Sequence, residues 1–165
     1  MNIFLSINYS RKFNSTFSLI KKILKKINLF RAEIIINRGI YNNASHYINL
    51  MIEIFGKITS IKNVKLAKSK FLDDDFSGRF ELELNKKINI HFNILEINNL
   101  SYERLLFFGK KNYLEIINDN FYLYDIIRKK NSLSNLKIKI MHKINYKDSI
   151  ENHFINIRHF LKKNI

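Results

Sequence analysis

The sequence predicts an α+β fold: a large, open, mostly antiparallel sheet with helices packed on one face. Apolar and polar residues alternate strictly through 79–84 and 88–94, and Lys86-Lys87 joins the two runs as a short polar turn. This period-two pattern indicates an antiparallel hairpin with one buried face and one solvated face. Three segments of helical periodicity flank a long meander of strands, an order typical of an open sheet with its helices on one side.

The chain begins with a predicted strand at 2–9 and a helix that Asn14 or Ser15 can cap and that continues to about Ile27. The apolar stripe of this helix, spaced by three and four residues, consists of Phe13, Phe17, Ile20, Leu24 and Ile27. A second strand follows at 30–37.

A short helix at 42–56 is the most informative segment for function. Asn42 or Asn43 can cap its start, and Gly56 suits the left-handed residue at its end. Its apolar stripe is Ile48, Ile52 and Phe55, widened by Leu50, Met51 and Ile54. His46 lies near the exposed beginning, where an imidazole can transfer protons. The alternative is a histidine that only hydrogen-bonds at a helix start.

The remaining elements are mostly strands. They are predicted at 57–68, 102–108, 113–117, 121–127 and 136–142, in addition to the hairpin. A polar turn at Asp73-Asp74-Asp75 precedes the hairpin, and His91 is expected on the solvated face of its strand. A terminal helix begins at Ser149; its His153 and His159 are six positions apart and so do not form a zinc pair on one face.

Composition predicts a single domain, residues 1–165, with ample material for a core. Apolar residues make up 46% of the chain, with 14 Phe and 8 Tyr, and cysteine is absent. No apolar run is long enough to span a membrane, so a cytoplasmic protein without membrane partners is expected. The acid-free start before Glu33 is compatible with a targeting peptide, but a strand and a helix of the fold explain it as well.

The net charge of +15 allows a second interpretation, a basic nucleic-acid-binding module. Aromatic residues on a sheet face can stack bases, and Tyr113, Phe121, Tyr122 and Tyr124 are eligible. However, the lysines are scattered, and the cluster at Lys21, Lys22, Lys25 and Lys26 lies on the polar side of an amphipathic helix. Nucleic acid is therefore not the expected partner.

Four motifs in a fixed order carry a resemblance to a known family. They are Asn8-Tyr9-Ser10-Arg11-Lys12-Phe13, the helix at 42–56 with His46 and Gly56, the acidic Asp74-Asp75 before an alternating strand, and the strand pair at 107–116. This order resembles the C-terminal substrate domain of the Gfo/Idh/MocA oxidoreductases. Residues 1–12 are similar to the last strand of that family's nucleotide-binding domain, with Lys12 in place of an arginine.

The resemblance implies an enzyme that transfers hydride between NAD or NADP and a hydroxyl of a sugar, cyclitol or nucleotide sugar. It implies that His46 is the catalytic acid/base and that Asn42 takes the place of a carboxylate beside it. Asn49 stands where the family has a second aspartate, and Arg38 and Tyr41, on the approach to the helix, are further candidates for substrate binding. No residue of this chain is assigned to cofactor binding or to a metal.

The chain also departs from the family. It has no Gly-x-Gly-x-x-Gly fingerprint and, lacking proline, no Glu-Lys-Pro motif. We therefore expect a truncated or split enzyme half that is inactive alone, forms homo-oligomers through its open sheet face, and uses a separate Rossmann-domain chain. A decayed pseudoenzyme fragment remains the alternative, because its core pattern is the same.

Overall fold

The fold was analysed in a computed structural model that describes residues 15–85, 88–118, 120–127 and 135–143. The strand predicted at 2–9, the motif at 8–13 and the terminal helix from Ser149 lie outside the described residues. No helix in the described part of the chain is long and apolar enough to cross a membrane.

Two helices, a π-helical turn and eight strands make up the described ranges, and every element predicted within them is present. They are α1 (Ser15–Lys26), β1 (Leu29–Asn37), the π turn (Gly39–Ala44), α2 (Ser45–Phe55), β2 (Ile58–Lys68), β3 (Phe76–Leu84), β4 (Ile88–Leu95), β5 (Glu103–Gly109), β6 (Asn112–Ile117), β7 (Asn120–Ile127) and β8 (Asn135–Lys143). The strands form one sheet in the order β2-β3-β4-β1-β5-β6-β7-β8. The predicted α+β fold class is thereby confirmed.

The first strand, β1, lies in the middle of the sheet rather than at its edge. It pairs parallel with β4, placing Ile34 opposite Phe92, and antiparallel with β5, placing Ile34 opposite Leu105. All other pairings are antiparallel between strands that are consecutive along the chain. Because β1 and β4 are parallel, their carboxyl ends meet at one edge of the sheet, where the chain turns into α2.

The predicted β3–β4 hairpin is confirmed, and its alternation divides the two sheet faces. Phe80 pairs with Phe92, and their rings stack with centroids 4.8 Å apart. On the helix-covered face, buried side chains from the strands meet those of α1 and α2, including Phe17, Ile20, Leu24, Ala32, Ile34, Ile36, Tyr47, Leu50, Met51, Phe107, Leu114, Ile116 and Phe121. Each fully buried large aliphatic or aromatic side chain contributes roughly 1.5–3 kcal/mol, so this face holds the core together.

The predicted apolar stripe of α2 is confirmed except at Ile52, and it omits the buried Tyr47. The buried residues are Tyr47, Leu50, Met51 and Ile54. Ile52 is 38% exposed, and Ile48 and Phe55 are half-buried. The sequence is apolar around most of this helix, so periodicity did not exclude Ile52 from the stripe. Tyr47 can enter the core because its hydroxyl donates a hydrogen bond to the Glu103 carboxylate.

The predicted capping of this helix by Asn42 or Asn43 is wrong. Both residues lie inside the π turn, which leads directly into α2, and Ala44 at the α-helical N-cap position makes no side-chain cap. The end of the helix agrees with prediction in part. Gly56 has a positive φ of 91°, but its ψ of −162° lies outside the left-handed helical region.

His91 lies on the solvated face of β4, as predicted, but it is not simply exposed. Its Nδ1 lies 3.1 Å from the Glu81 carboxylate on the neighbouring strand, and its side chain is 34% accessible. Cross-strand pairs of this kind are the unit of sheet stabilisation. The structure thus gives His91 an ordinary pairing role on that face.

Candidate functional site

A polar cleft of about 230 Å³ lies at the edge of the sheet where β1 and β4 end. It is lined by Asn37, Arg38, Gly39, Asn42, Ser69, Phe71, Leu72, Ser77, Leu95, Glu96, Ile97, Asn98, Asn99 and Leu100. In open sheets, ligands bind in the crevice outside the carboxyl ends of parallel strands. The only parallel pair among the described strands ends at this cleft.

The chain turns from β1 into the π turn beside a buried carboxylate. Asp75 is only 4% exposed, and its two oxygens accept the backbone N–H groups of Tyr41 at 2.9 Å and Asn42 at 3.1 Å. Its Oδ1 also accepts the N–H of Phe76 at 2.7 Å. The carboxylate therefore satisfies the free donors at the start of this helical segment and matches its dipole.

Gly39 makes this close approach possible. Its φ is +73°, and a Cβ at this position would lie 2.2 Å from the Asp75 Oδ2. A side chain would therefore clash with the carboxylate and strain the backbone at the same time. The preceding residue, Arg38, is also left-handed, with φ 75° and ψ 43°. These two successive residues of positive φ form the sharp turn through which the chain passes from β1 into the π turn beside the cleft.

The opposite wall of the cleft is held by Asn37. Its buried side-chain amide donates to the carbonyl oxygens of Ile97 at 2.7 Å and Leu100 at 2.6 Å, and its Oδ1 accepts the Ile97 N–H at 3.1 Å. Asn43 donates its own amide to the Asn37 carbonyl at 2.9 Å. The amide of Asn37 thus ties the loop after β4 to the end of β1.

Glu96 supplies a negative charge to the cleft. Its carboxylate accepts the backbone N–H of Lys70, and this hydrogen bond is the main reason that the pKa of Glu96 lies below its ordinary value of 4.5. Desolvation opposes this effect on the pKa of Glu96. The carboxylate therefore stays ionised near neutral pH.

The five predicted site residues lie in three places. Arg38 and Asn42 line the cleft. His46 and Asn49 lie on α2, half-buried and outside the lining. Because positions 42, 46 and 49 are separated by about one helical turn each, they occupy one side of the continuous helical segment. Tyr41 is 65% exposed and packs edge-on against Phe76, with ring centroids 6.1 Å apart.

Sequence reasoning missed three residues that shape the site. The sequence predicts only a polar turn at Asp75, although it is the buried partner of the helix start. It predicts only the end of a strand at Asn37 and nothing at Glu96. A buried carboxylate requires several donors, and the sequence shows no difference between Asp75 and its exposed neighbour Asp74. Only the asparagine at the end of an apolar strand, Asn37, offered a usable signal.

The cleft offers neutral amides and hydroxyls, one carboxylate and one guanidinium. Such a set recognises hydroxyl groups of a polar ligand, which both donate and accept hydrogen bonds. It does not fit a dinucleotide, because Asp75 already occupies the N–H groups at the helix start that a pyrophosphate needs. Among the described residues there is also no group of three His, Asp or Glu side chains suited to a metal ion.

The open face of the sheet carries an aromatic ladder on β5–β7. Phe108 and Tyr113 have ring centroids 5.3 Å apart, Tyr113 and Tyr124 5.4 Å, and Tyr122 and Tyr124 6.3 Å. Burial raises the pKa of both Tyr113 and Tyr124. On β8, three exposed apolar residues continue this surface: Leu136, Ile138 and Met141.

An ion pair lies within the aromatic ladder. Arg104 binds the Glu115 carboxylate through Nε and a terminal nitrogen, both at 2.9 Å. This contact raises the pKa of Arg104. The open face therefore has an aromatic half with one internally neutralised charge pair, and a more polar half on β3, β4 and β1.

Solved structures with the same fold are oxidoreductases. The chain superposes on KijD10, a 3-ketoreductase from Actinomadura kijaniata in complex with NADP, with a TM-score of 0.65 and 8% identity, covering 97% of this chain and 53% of that one. The superposition on the UDP-N-acetylglucosamine 3-dehydrogenase GnnA from Acidithiobacillus ferrooxidans has a TM-score of 0.62 and 11% identity, and it covers 93% of this chain and 52% of that one. The superposition on the WlbA dehydrogenase from Bordetella pertussis in complex with NADH and UDP-GlcNAcA has a TM-score of 0.53 and 14% identity, and it covers 64% of this chain and 40% of that one.

The chain thus spans about half the length of the solved structures that it matches. No protein-family model matches the sequence, and no curated protein matches it. The resemblance to the C-terminal domain of Gfo/Idh/MocA-type oxidoreductases is confirmed at the level of the fold. The low identities leave activity, substrate and cofactor to be argued from the chain's own residues.

Proposed function

We propose that this chain is the substrate-binding half of an NAD(P)-dependent oxidoreductase that acts on a hydroxyl of a sugar, cyclitol or nucleotide sugar. The observation that carries the proposal is the helical segment with Asn42 and His46, which begins beside a polar cleft at the carboxyl ends of β1 and β4. Three structural neighbours are named as a ketoreductase or dehydrogenases, and two of them hold NADP or NADH.

His46 is the proposed acid/base group. A neutral imidazole removes the proton of a substrate hydroxyl as the alcohol is oxidised to a ketone, and an imidazolium returns it in the reverse direction. His46 is half-buried in the first turn of α2, with its Nδ1 atom buried. Asn42 precedes it by one turn and contributes its amide to substrate binding from the cleft wall.

Arg38, Tyr41 and Asn49 are proposed to bind substrate around this pair. Arg38 contributes a guanidinium to the cleft lining, suited to an anionic group such as a nucleotide-sugar phosphate. The exposed Tyr41 ring can cover a sugar face, and Asn49 extends the polar side of α2. The coenzyme supplies the hydride acceptor, and we assign its binding to a nucleotide-binding domain outside these 165 residues.

Hydride transfer in a completed enzyme tests this proposal. The half of GnnA that this chain does not cover is fused ahead of it, and NADH formation is followed with UDP-N-acetylglucosamine as the first substrate tried. We expect activity that His46→Ala lowers by about 10²–10⁴-fold. His91→Ala is the matched control, because His91 lies on the open sheet face and pairs with Glu81. Equal activity of the two variants would remove His46 from the mechanism.

We also propose that the aromatic half of the open face binds a second copy of the chain. The ring ladder and the exposed Leu136, Ile138 and Met141 form one continuous apolar area on a face that the described helices do not cover. Exposed apolar areas of this kind are typical of protein–protein contacts, and a sheet face packed on its own copy gives a closed, two-fold dimer.

Sedimentation equilibrium at high micromolar concentration tests the oligomer. We expect the wild-type chain to self-associate and Ile138→Lys to be monomeric, since a charge would be buried in the contact. Ile61→Lys is the control: Ile61 is similarly exposed, at 60% against 55%, but pairs with Leu82 and so lies on the helix side of the sheet. A wild-type chain that is monomeric at this concentration would contradict the proposed self-association.

The alternative of a nucleic-acid-binding module has one observation in its favour, the tyrosine ladder, because such rings stack bases. Against it, the Arg104 guanidinium beside these rings is already bound by the Glu115 carboxylate, so it does not offer a free cation to a phosphate group. Binding to single-stranded nucleic acid that weakens steeply with salt and is lost in Tyr124→Ala would favour this alternative over the dimer.

A further inference from the structure

Two cations face each other on the polar half of the open sheet face. Lys65 on β2 and Arg79 on β3 are partners in the antiparallel register, so their side chains project from directly opposite positions. Neither makes an ion pair or a hydrogen bond through its side chain with any residue in the described ranges. Like charges directly opposite one another destabilise a sheet, and an anion bound between them would remove this repulsion.

The backbone is built to hold Lys65 in this position. A β-bulge between Lys62 and Lys65 inserts one residue into β2, and Asn63 within it has a positive φ of 53°. Because of the bulge, both lysines lie opposite open-face residues of β3. Bulges re-aim side chains in this way at functional positions.

Gly78 supports the same local geometry. A Cβ on Gly78 would lie 2.1 Å from the Lys65 carbonyl oxygen, and its φ of +127° is a conformation that L side chains rarely adopt. The glycine directly before Arg79 therefore allows the bulged strand to approach closely. The two cations are held by a specific backbone arrangement rather than by two freely placed surface residues.

The pair lines a shallow cleft of about 450 Å³. Its lining also includes Asn63, Glu81, His91 and Asn93. The Glu81 carboxylate lies 3.1 Å from His91 Nδ1, a contact that does not cancel its negative charge. The two cations, Lys65 and Arg79, outnumber this one carboxylate, so the net charge of the lining is positive. The two asparagine amides add neutral hydrogen-bond donors, and the nearby Lys62 pairs with Glu83 at 2.7 Å outside the lining.

We propose that Lys65 and Arg79 bind a phosphate group, either free or carried by a small molecule. A guanidinium offers two parallel donors to phosphate oxygens, and a lysine adds a point charge. The asparagine amides complete the donor set. The site lies on the open face of the sheet, away from the α2 side that carries His46, and it does not depend on the proposed oxidoreductase activity.

Thermal unfolding of the full chain in inorganic phosphate, against chloride at equal ionic strength, tests the site. We expect phosphate to raise the Tm of the wild type by mass action, and Arg79→Gln and Lys65→Gln to lose most of this rise, with phosphate affinity weakened at least about tenfold. Arg31→Gln and Lys62→Gln are matched controls: both cations lie on strands of the same sheet, outside the cleft, and pair with Glu33 and Glu83.

A second readout separates ligand binding from a structural role. In chloride at low ionic strength, Arg79→Gln should be at least as stable as the wild type, because it removes a repulsion. A lower Tm there, or an equal phosphate response in Arg79→Gln and Arg31→Gln, overturns the proposal. So does equal protection by acetate together with a loss of self-association in Arg79→Gln, since the cations would then bind a carboxylate of a second copy.

Discussion

Asp75 holds Asn42 in place across 33 positions of sequence: its Oδ2 accepts the Asn42 backbone N–H at 3.1 Å. The other oxygen accepts the N–H of Tyr41, so one carboxylate fixes two consecutive residues of the turn that precedes His46. The proposed site thus depends on a contact between the start of the helical segment and Asp75, the residue that directly precedes β3.

We expect Asp75→Asn to destabilise the chain by about 1–3 kcal/mol, because an amide offers one acceptor oxygen where the carboxylate uses two. Urea unfolding measures this loss. Asp74→Asn is the control: the Asp74 side chain is 97% accessible, so its substitution should change the free energy of unfolding by less than about 0.5 kcal/mol. Equal effects of the two substitutions would contradict the role given to Asp75.

Gly39→Ala should also be destabilising, by at least about 1 kcal/mol, since the new Cβ meets the Asp75 carboxylate at a positive φ. The effects of substitutions at Gly39 and Asp75 on the free energy of unfolding should not be additive. In an Asp75→Ala background the clash disappears and only the backbone strain remains, so the cost of Gly39→Ala becomes smaller. A double-mutant cycle in urea measures this difference; strictly additive costs would show that the contact is unimportant.

The sequence predicted the strands of this fold well because their alternation is local. The runs at β3 and β4 have one apolar and one polar face, and the structure pairs them as expected, Phe80 against Phe92. The parallel pairing of β1 with β4 was not predicted, since it joins segments more than fifty positions apart. The local apolar pattern of β1 does not predict which strands it pairs with.

The site was less accessible to sequence reasoning. His46 and Asn42 were placed on one helical segment, and that segment exists, but the π turn and its buried Asp75 were not foreseen. Three consecutive aspartates look alike in a sequence. Which of them is buried depends on two backbone N–H groups that only the turn at Gly39 brings within reach.

Glu96 should make the stability of the chain depend on acid pH. Its pKa in the folded state is lowered, chiefly by the Lys70 N–H, so its stabilising contribution is present above the ordinary value of 4.5 and is lost as pH falls through the lowered value. Glu96→Gln should therefore be less stable than the wild type near neutral pH and equally stable in strong acid. A stability difference that stays constant over this range would contradict the assignment.

Two tyrosines of the aromatic ladder should make the stability of the chain fall at alkaline pH, whereas the contribution of Glu96 is lost in acid. Burial raises the pKa of Tyr113 and Tyr124 above 10.0, so their stabilising contribution is complete below 10.0 and is lost as pH rises toward the raised values. Replacing both with Phe keeps the ring packing and removes the titration. The loss of stability between about pH 9 and about pH 11 should then be smaller than in the wild type, and an unchanged loss in the double variant would contradict this account.

The amide at position 42 gives the most direct test of the proposed chemistry. A carboxylate there would stabilise the imidazolium that forms when His46 accepts a proton, whereas an amide does not. Asn42→Asp should therefore raise kcat of the completed enzyme by on the order of tenfold or more, with a smaller change in KM. The backbone N–H of residue 42 remains bonded to Asp75 in either case.

Two substitutions control for a general electrostatic effect of the new charge. Asn43→Asp adds the same charge at the adjacent position of the π turn, where the side chain points to the Asn37 carbonyl, and should not raise kcat. In a His46→Ala background, Asn42→Asp should also give no gain, because the imidazolium that it stabilises is missing. An increase of kcat by Asn42→Asp that persists without His46 would mean that another group transfers the proton.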